Sequence, residues 1–228
     1  MGSVEAYVVG DNNMKMTKVT SCLAILVVMP YFLVAGDFQA SVGGSEVPQE
    51  LSSEMVGMIE KQAIFAKAPD GKVIAEFWPR NIAFSGDPVS GFGVRFETMP
   101  EGSFLGVVRF LENGSDFREQ SIKSGIYTMR YGLHPEDGNH MGVAASRDFA
   151  LLVKADADTE PNQNLPFGLL TQLSVSSSGN PHPTILRLEL PDGDDSGHIW
   201  QDEAGHWVLD LAIPGDVIGV VVSGHSEE

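Results

Sequence analysis

The chain is short of cysteine, of basic residues and of long apolar runs, and each shortage removes a class of explanation. Its one cysteine is Cys22, inside a segment expected to be cleaved. The remainder then has no disulfide, no thiolate metal site and no cysteine nucleophile, and its core alone must hold it together. Lysine and arginine number 14 against 31 acids, for a net charge of −17. Lys15 and Lys18 cancel Glu5 and Asp11, so the whole excess falls beyond residue 36. The basic residues are scattered singly. Such a surface repels nucleic acid and anionic membrane, and it favours solubility and cation binding. Nucleic-acid binding is excluded on this ground.

Catalytic signatures are missing as well. No H-E-x-x-H, G-x-S-x-G, dinucleotide or P-loop glycine pattern occurs. Ser223-Gly224-His225-Ser226 places Ser beside His, but a triad is assembled in space, so adjacency carries no weight. Asn113-Gly114-Ser115 fits a glycosylation acceptor and equally a simple turn.

What is present begins with a targeting layout. Lys15 and Lys18 form a basic start, Cys22 to Val34 is apolar, and Val34-Ala35-Gly36 supplies small residues before Asp37. This is the three-part pattern of a secretory signal peptide over residues 14–36. The apolar run falls short of the roughly 20 residues a helical span needs, so no stable membrane span is expected after cleavage. Residues 1–13 precede Met14 and Met16 and read as a gene-model extension. Residues 37–49, with Gly43-Gly44 and Pro48, read as a linker ahead of one domain over residues 50–228.

Within that domain, Leu51, Met55, Met58 and Ile59 sit at roughly helical spacing in 50–61, predicting a short N-terminal helix. Residues 63–66 and 73–78, joined by Asp70-Gly71, predict a hairpin. Further strands are expected at 92–96, 104–110, 126–131, 149–153, 184–190, 207–213 and 217–222. All are short, rich in Val, Ile, Phe and Tyr, and separated by Gly, Asp, Asn and Pro. A leucine stripe at Leu165, Leu169, Leu170 and Leu173 predicts a second helix near 164–176. The expected fold is mostly β, a single antiparallel β-sandwich of jelly-roll or Ig-like kind. Trp78 is expected in the core. Trp200 and Trp207 flank the turn 202–205 and are expected to face each other as a packing pair, in preference to a sugar-binding surface.

The densest segment runs from Ile122 to Phe149 (IKSGIYTMRYGLHPEDGNHMGVAASRDF). Tyr127, Met129 and Tyr131 alternate with Thr128, Arg130 and Gly132, one face burying aromatics and Met and the other presenting a cation. This block resembles G-x-Y-T-x-R-Y-G-L-x-P-x-D-G-x-H-x-G-V followed by R-D-F, as found in a group of uncharacterised secreted bacterial proteins. His134 stands where that group has Gln, and Ala145-Ser146 where it has Pro-Tyr, while His140 matches. The resemblance implies kinship and secretion but carries no activity and no catalytic residue.

Two metal readings stand beside their structural alternatives. Over 134–148, Glu136, Asp137 and His140 (with Asp148, and with His182 or His206 from elsewhere) could hold zinc or another transition metal in an enzyme. The alternative is a polar Pro-Glu-Asp-Gly turn with Arg130 and Asp148 paired across strands. Over 192–203, Asp192, Asp194, Ser196 and Glu203 have the spacing of an EF-hand calcium loop, with Gly197 at the bend. The flanks, Leu186–Leu190 and Trp207–Ile213, are strand-like where that loop needs helices. The alternative is therefore an acidic entry to a hairpin through Ile199-Trp200.

The reading favoured is a secreted or periplasmic, non-enzymatic domain without a resident cofactor, binding a small ligand or an envelope partner. Its expected surface is the loop 133–141 with Arg130, His140, Arg147 and Asp148. A metal-dependent enzyme at 134–148 and a calcium-stabilised module at 192–203 are the competing readings.

Overall fold

The structure is a computed structural model that describes residues 36–116, 120–136, 146–179 and 181–224. Ten strands form one antiparallel sheet: β1 Gln39–Gly43, β2 Ala63–Lys67, β3 Val73–Pro79, β4 Phe104–Phe110, β7 Gly125–Leu133, β8 Asp148–Lys154, β9 Ile185–Glu189, β12 Asp216–Ser223, β11 Trp207–Ile213 and β10 Ile199–Gln201, in that spatial order. A separate two-stranded ribbon joins β5 (Gly114–Ser115) to β6 (Ser121–Ile122). The described residues also include two helices, α1 Ser53–Gly57 and α2 Phe167–Ser178. Among the described residues no helix is long and apolar enough to cross a membrane.

Alternation dictates the shape. Side chains of a strand point to opposite faces in turn, and one face of eight strands feeds a single core. Ile64, Phe77, Leu105, Met129, Leu152, Leu188, Leu209 and Val220 all belong to it. A flat sheet could not bring these together, so the sheet curls until it is nearly barrel-shaped. At the seam the two ends of the sheet approach: the ring of Phe38, just before β1, lies 5.5 Å from that of Trp207, at the start of β11. The convex face carries two satellite cores. Beneath α1 lie Trp78, Phe104 and Val107, and beneath α2 lie Phe149, Leu151 and Ile185.

The β-rich expectation and both helices are found, but four details differ. The residues expected as a linker contain β1, paired with β2 along its length and with Ala40 packed on the core. Residues 92–96 form no strand, because Gly91 and Gly93 take positive φ, which breaks an extended ladder. They belong instead to a long loop, 81–103, that closes one end of the sheet with Phe96 and Met99 in the core. The first helix is one turn only. Finally, Trp200 pairs with Val208 and Trp207 with Gln201. Being one position out of register, the two indoles point to opposite faces, and Trp207 packs on Phe38 instead.

Opposite the loop end, short connections gather: the β2–β3 turn, the β5–β6 ribbon and the β10–β11 turn. On the convex face between the two ends, Arg130 is fully buried. It lies opposite Phe104 in the β4–β7 ladder. Its Nε and Nη2 donate to the two oxygens of Asp158 at 2.8 and 2.7 Å. Nη1 donates to the carbonyls of Gly102 and Gln163, and Nη2 also to that of Glu160. All five N–H donors are thereby in use. Thr128 Oγ1 adds a 2.6 Å bond to Asp158. Removing one partner of such a pair leaves a buried charge, at a cost of about 3–5 kcal/mol. Arg130→Met should therefore lower the urea-unfolding free energy by that order. The double variant Arg130→Met/Asp158→Asn should recover part of the loss.

Candidate functional site

The residues singled out between 130 and 148 separate in the fold. Arg130, on an even position of β7, faces outward into its Asp158 cage and offers no donor to a ligand. Asp148, on an even position of β8, points to the opposite, concave face. The expected Arg130–Asp148 pair is thus replaced by two independent carboxylate sites. Asp148 accepts from the Tyr131 hydroxyl at 2.6 Å and from the backbone N–H groups of Arg95 and Phe96 at 3.0 and 3.3 Å. Burial, and then the bond to Asp148, pushes the Tyr131 phenol above its ordinary pKa. Asp148 therefore pins the loop 81–103.

Arg147 serves the same loop. Its Nε donates to the His134 carbonyl at 2.7 Å, its Nη1 donates to Phe92 O at 3.3 Å, and it pairs with Glu136. His134 is nearly buried and packs on Phe149 with ring centroids 4.5 Å apart. Arg80 holds the start of the loop through the carbonyls of Ile82, Ala83 and Phe104. Burial, followed by the neighbouring charge of Arg130, lowers its pKa. Asp137 and His140 lie outside the described residues. His182 and His206 precede β9 and β11 at the far end of the sheet from Glu136, a strand length of roughly 20 Å away. They cannot join Glu136 in one coordination shell.

The acidic stretch 192–203 wraps around a carboxylate. Asp210 of β11 is fully buried beneath it. Asp210 accepts from Gly193 N–H at 2.8 Å and from Trp200 Nε1 at 3.0 Å, and it lies 3.1 Å from His198 Nδ1. Ser196 Oγ accepts from Ala212 N–H at 2.7 Å. Asp192, Asp194 and Glu203 are exposed. Among the described residues no group of three His, Cys, Asp or Glu is placed to hold a metal ion. The stretch is the hairpin entry, leading through β10 to the turn 202–205.

Among the described residues, the concave face is closed at the loop end and open at the other. There a cavity of about 240 Å³ runs between strands that are not neighbours in the sheet. Ala75 and Phe77 of β3 form one wall, Leu186 of β9 and Val222 of β12 the other, and Phe110 of β4 extends it. Ala75, Phe77 and Leu186 are buried members of the main core, so the floor is apolar. The rim is polar. Lys72 Nζ lies 2.5 Å from Glu112 Oε2, and Asn113 accepts from Ser124 N–H at 2.9 Å. Asp116 accepts from the Gln120 N–H at 2.9 Å and from its side-chain amide at 3.3 Å. Gly224, also at the rim, lies against the ring of His206.

His206 is itself held by Asp202, Nδ1 to Oδ2 at 2.8 Å. Burial alone would raise the Asp202 pKa. Hydrogen bonds from the His206 backbone and ring, the His206 charge and the Ala204 N–H outweigh it and leave the carboxyl below its ordinary 3.8. No family model, curated protein or solved structure matches the chain.

None of the cavity's deep residues was a sequence candidate. Each reads as an ordinary inward position of a strand, and nothing in one strand announces what stands across the interior. Two measurements check these assignments. Calcium at millimolar concentration should leave the Trp200 fluorescence and the thermal midpoint unchanged, whereas a filled 192–203 loop would shift both. Asp202 is depressed in the folded state, so its stabilisation is complete above its unfolded pKa and is lost as pH falls through the folded value. Asp202→Asn should cost about 1 kcal/mol at pH 7 and flatten the stability decline below pH 4, as followed by urea midpoints against pH.

Proposed function

We propose that the protein is a secreted or periplasmic, non-enzymatic binding domain whose ligand occupies the cavity at the open end of the sheet. The observation that carries this reading is the cavity's construction. It continues the concave apolar core, about 240 Å³ in volume, with apolar walls from Ala75, Phe77, Phe110, Leu186 and Val222 and polar residues from the connections around it, among them the buried Asp116. Small-ligand sites are typically concave and mostly apolar with a few polar groups that set orientation, and the mouths of curled sheets are a favoured place for them. An apolar cavity of about 150 Å³ is already large enough to take a benzene-sized guest and to stay dry without one. A molecule with an apolar body and a polar end satisfies both parts of this site.

The non-enzymatic part of the reading draws support from where the polar side chains are spent. Arg130, Arg147, Asp148 and Asp210 each hold the fold together through several bonds. Secretion rests on the signal-peptide layout of residues 14–36 and on the likeness of the 125–149 block to secreted bacterial proteins. The sandwich topology expected from sequence is refined by the same reading into a curled sheet that works as a cup.

Binding of N-phenyl-1-naphthylamine, a neutral dye that brightens in apolar surroundings, tests the proposal. The dye should bind the wild-type protein saturably and be displaced by decanol. Val222→Trp, which places an indole at the half-buried mouth, should weaken binding at least about tenfold while leaving the circular-dichroism spectrum in place. Unchanged binding by that variant would move the site elsewhere.

A further inference from the structure

We propose that the cavity measures its ligand, accepting an apolar part of about ten carbons and no more, with Phe77 as the stop. The inference rests on the cavity being a ligand site and adds the size of what it takes. Two separate dimensions give that size. The first is volume. A cavity of about 150 Å³ takes a benzene ring, and in proportion the 240 Å³ found here takes about ten carbons. The second is depth. On β3 the lining runs from Val73 at the mouth to Phe77, and residue steps of about 3.3 Å make that roughly 13 Å. An extended alkyl chain, with bonds of about 1.5 Å in a zigzag, advances roughly 1.3 Å per carbon, which again gives about ten.

The stop is built to hold. Phe77 is fully buried and belongs both to the cavity wall and to the main core. Its backbone is paired on both sides, with Ile64 of β2 and Val108 of β4, so it cannot yield as a loop would. Toward the loop end Leu105, Phe96 and Met99 continue the core, none more than 1% exposed. Interiors packed in this way leave few voids larger than a water molecule. A longer chain therefore finds no room inward. Its extra carbons stay at the mouth, among Lys72, Glu112, Asn113 and Asp116, where little apolar surface is there to cover them. N-phenyl-1-naphthylamine fits the same measure with its naphthyl group inside and its phenyl ring at the mouth.

Displacement of that dye from the full chain by straight-chain 1-alkanols, from hexanol to tetradecanol and each below its solubility limit, reads the length. Affinity should rise about fourfold per methylene up to decanol, and by less than about 1.5-fold per methylene beyond it. Phe77→Leu keeps an apolar side chain while deepening the floor, and should move the break up by about two carbons. Ala75→Val fills part of the cavity and should move the break down by about two. It also keeps the test intact if the Phe77 variant does not fold. A fourfold rise that continues through tetradecanol would overturn the length limit while leaving the cavity as the site. A break at decanol that stays in place in both variants would belong to the alcohols themselves, and would overturn it too. If decanol fails to displace the dye at all, the cavity reading falls, and the length limit with it.

Discussion

The fold hangs on one buried guanidinium. Arg130 sits on the convex face of β7, outside the main core, where a lone charge would be ruinous. Its cage does more than neutralise it. The carbonyls of Gly102, Glu160 and Gln163 and the carboxylate of Asp158 come from two separate connections, the end of the long loop and the segment leading into α2. Five N–H groups in a rigid planar fork fix these connections to the middle of the sheet in one geometry, which a flexible ammonium could not do. With α2 so anchored, Leu170 and its neighbours cover the outer faces of β8 and β9. Those strands are then free to spend their other face on the interior. In a domain with no cysteine beyond Cys22, this pair performs the cross-linking that a disulfide performs elsewhere.

The same two-residue period that sets Arg130 outward explains how much of the protein was legible in its sequence. Strands from 63 to 79, 104 to 110, 125 to 133 and 207 to 223 announce themselves by β-branched and aromatic runs between turn residues, and the structure has them within a residue or two. Local pattern also foretold the Tyr127–Met129–Tyr131 face. Partnership was not legible. Arg130 and Asp148 look like natural partners in a list of residues, yet both occupy even positions on neighbouring antiparallel strands whose register sends them to opposite faces. Asp158, in a connection with no periodic pattern, gave no sign that it would be the counter-ion. Nor did the Phe92–Phe96 stretch betray that its flanking glycines would turn it into a plug.

The calcium-like stretch shows the same limit from the other side. Its spacing is a property of twelve consecutive residues, and spacing was all that favoured a metal. The structure answers with Asp210, seven residues beyond the last expected ligand. That carboxylate supplies the negative centre, and N–H groups of Gly193 and Trp200 are drawn to it. A loop organised around an internal anion turns its donors inward. Its own carboxylates, Asp192, Asp194 and Glu203, are left facing water, which is the reverse of the arrangement that a bound cation needs.

The difference between the two ends of the curled sheet follows from how each is closed. At one end a loop of more than twenty residues brings its own apolar side chains, Phe96 and Met99 among them, and is held down by Asp148, Arg147 and Arg80. At the other end the β2–β3 and β10–β11 turns are too short to reach across the interior, and the longer β8–β9 connection is spent on α2 over the convex face. Among the described residues of the ribbon β5–β6, Ile122 reaches the core. The walls from β3, β9 and β12 are therefore capped by polar turn residues at a level above the last apolar layer. The interior thus grades from apolar side chains of the walls to polar turn residues at this end.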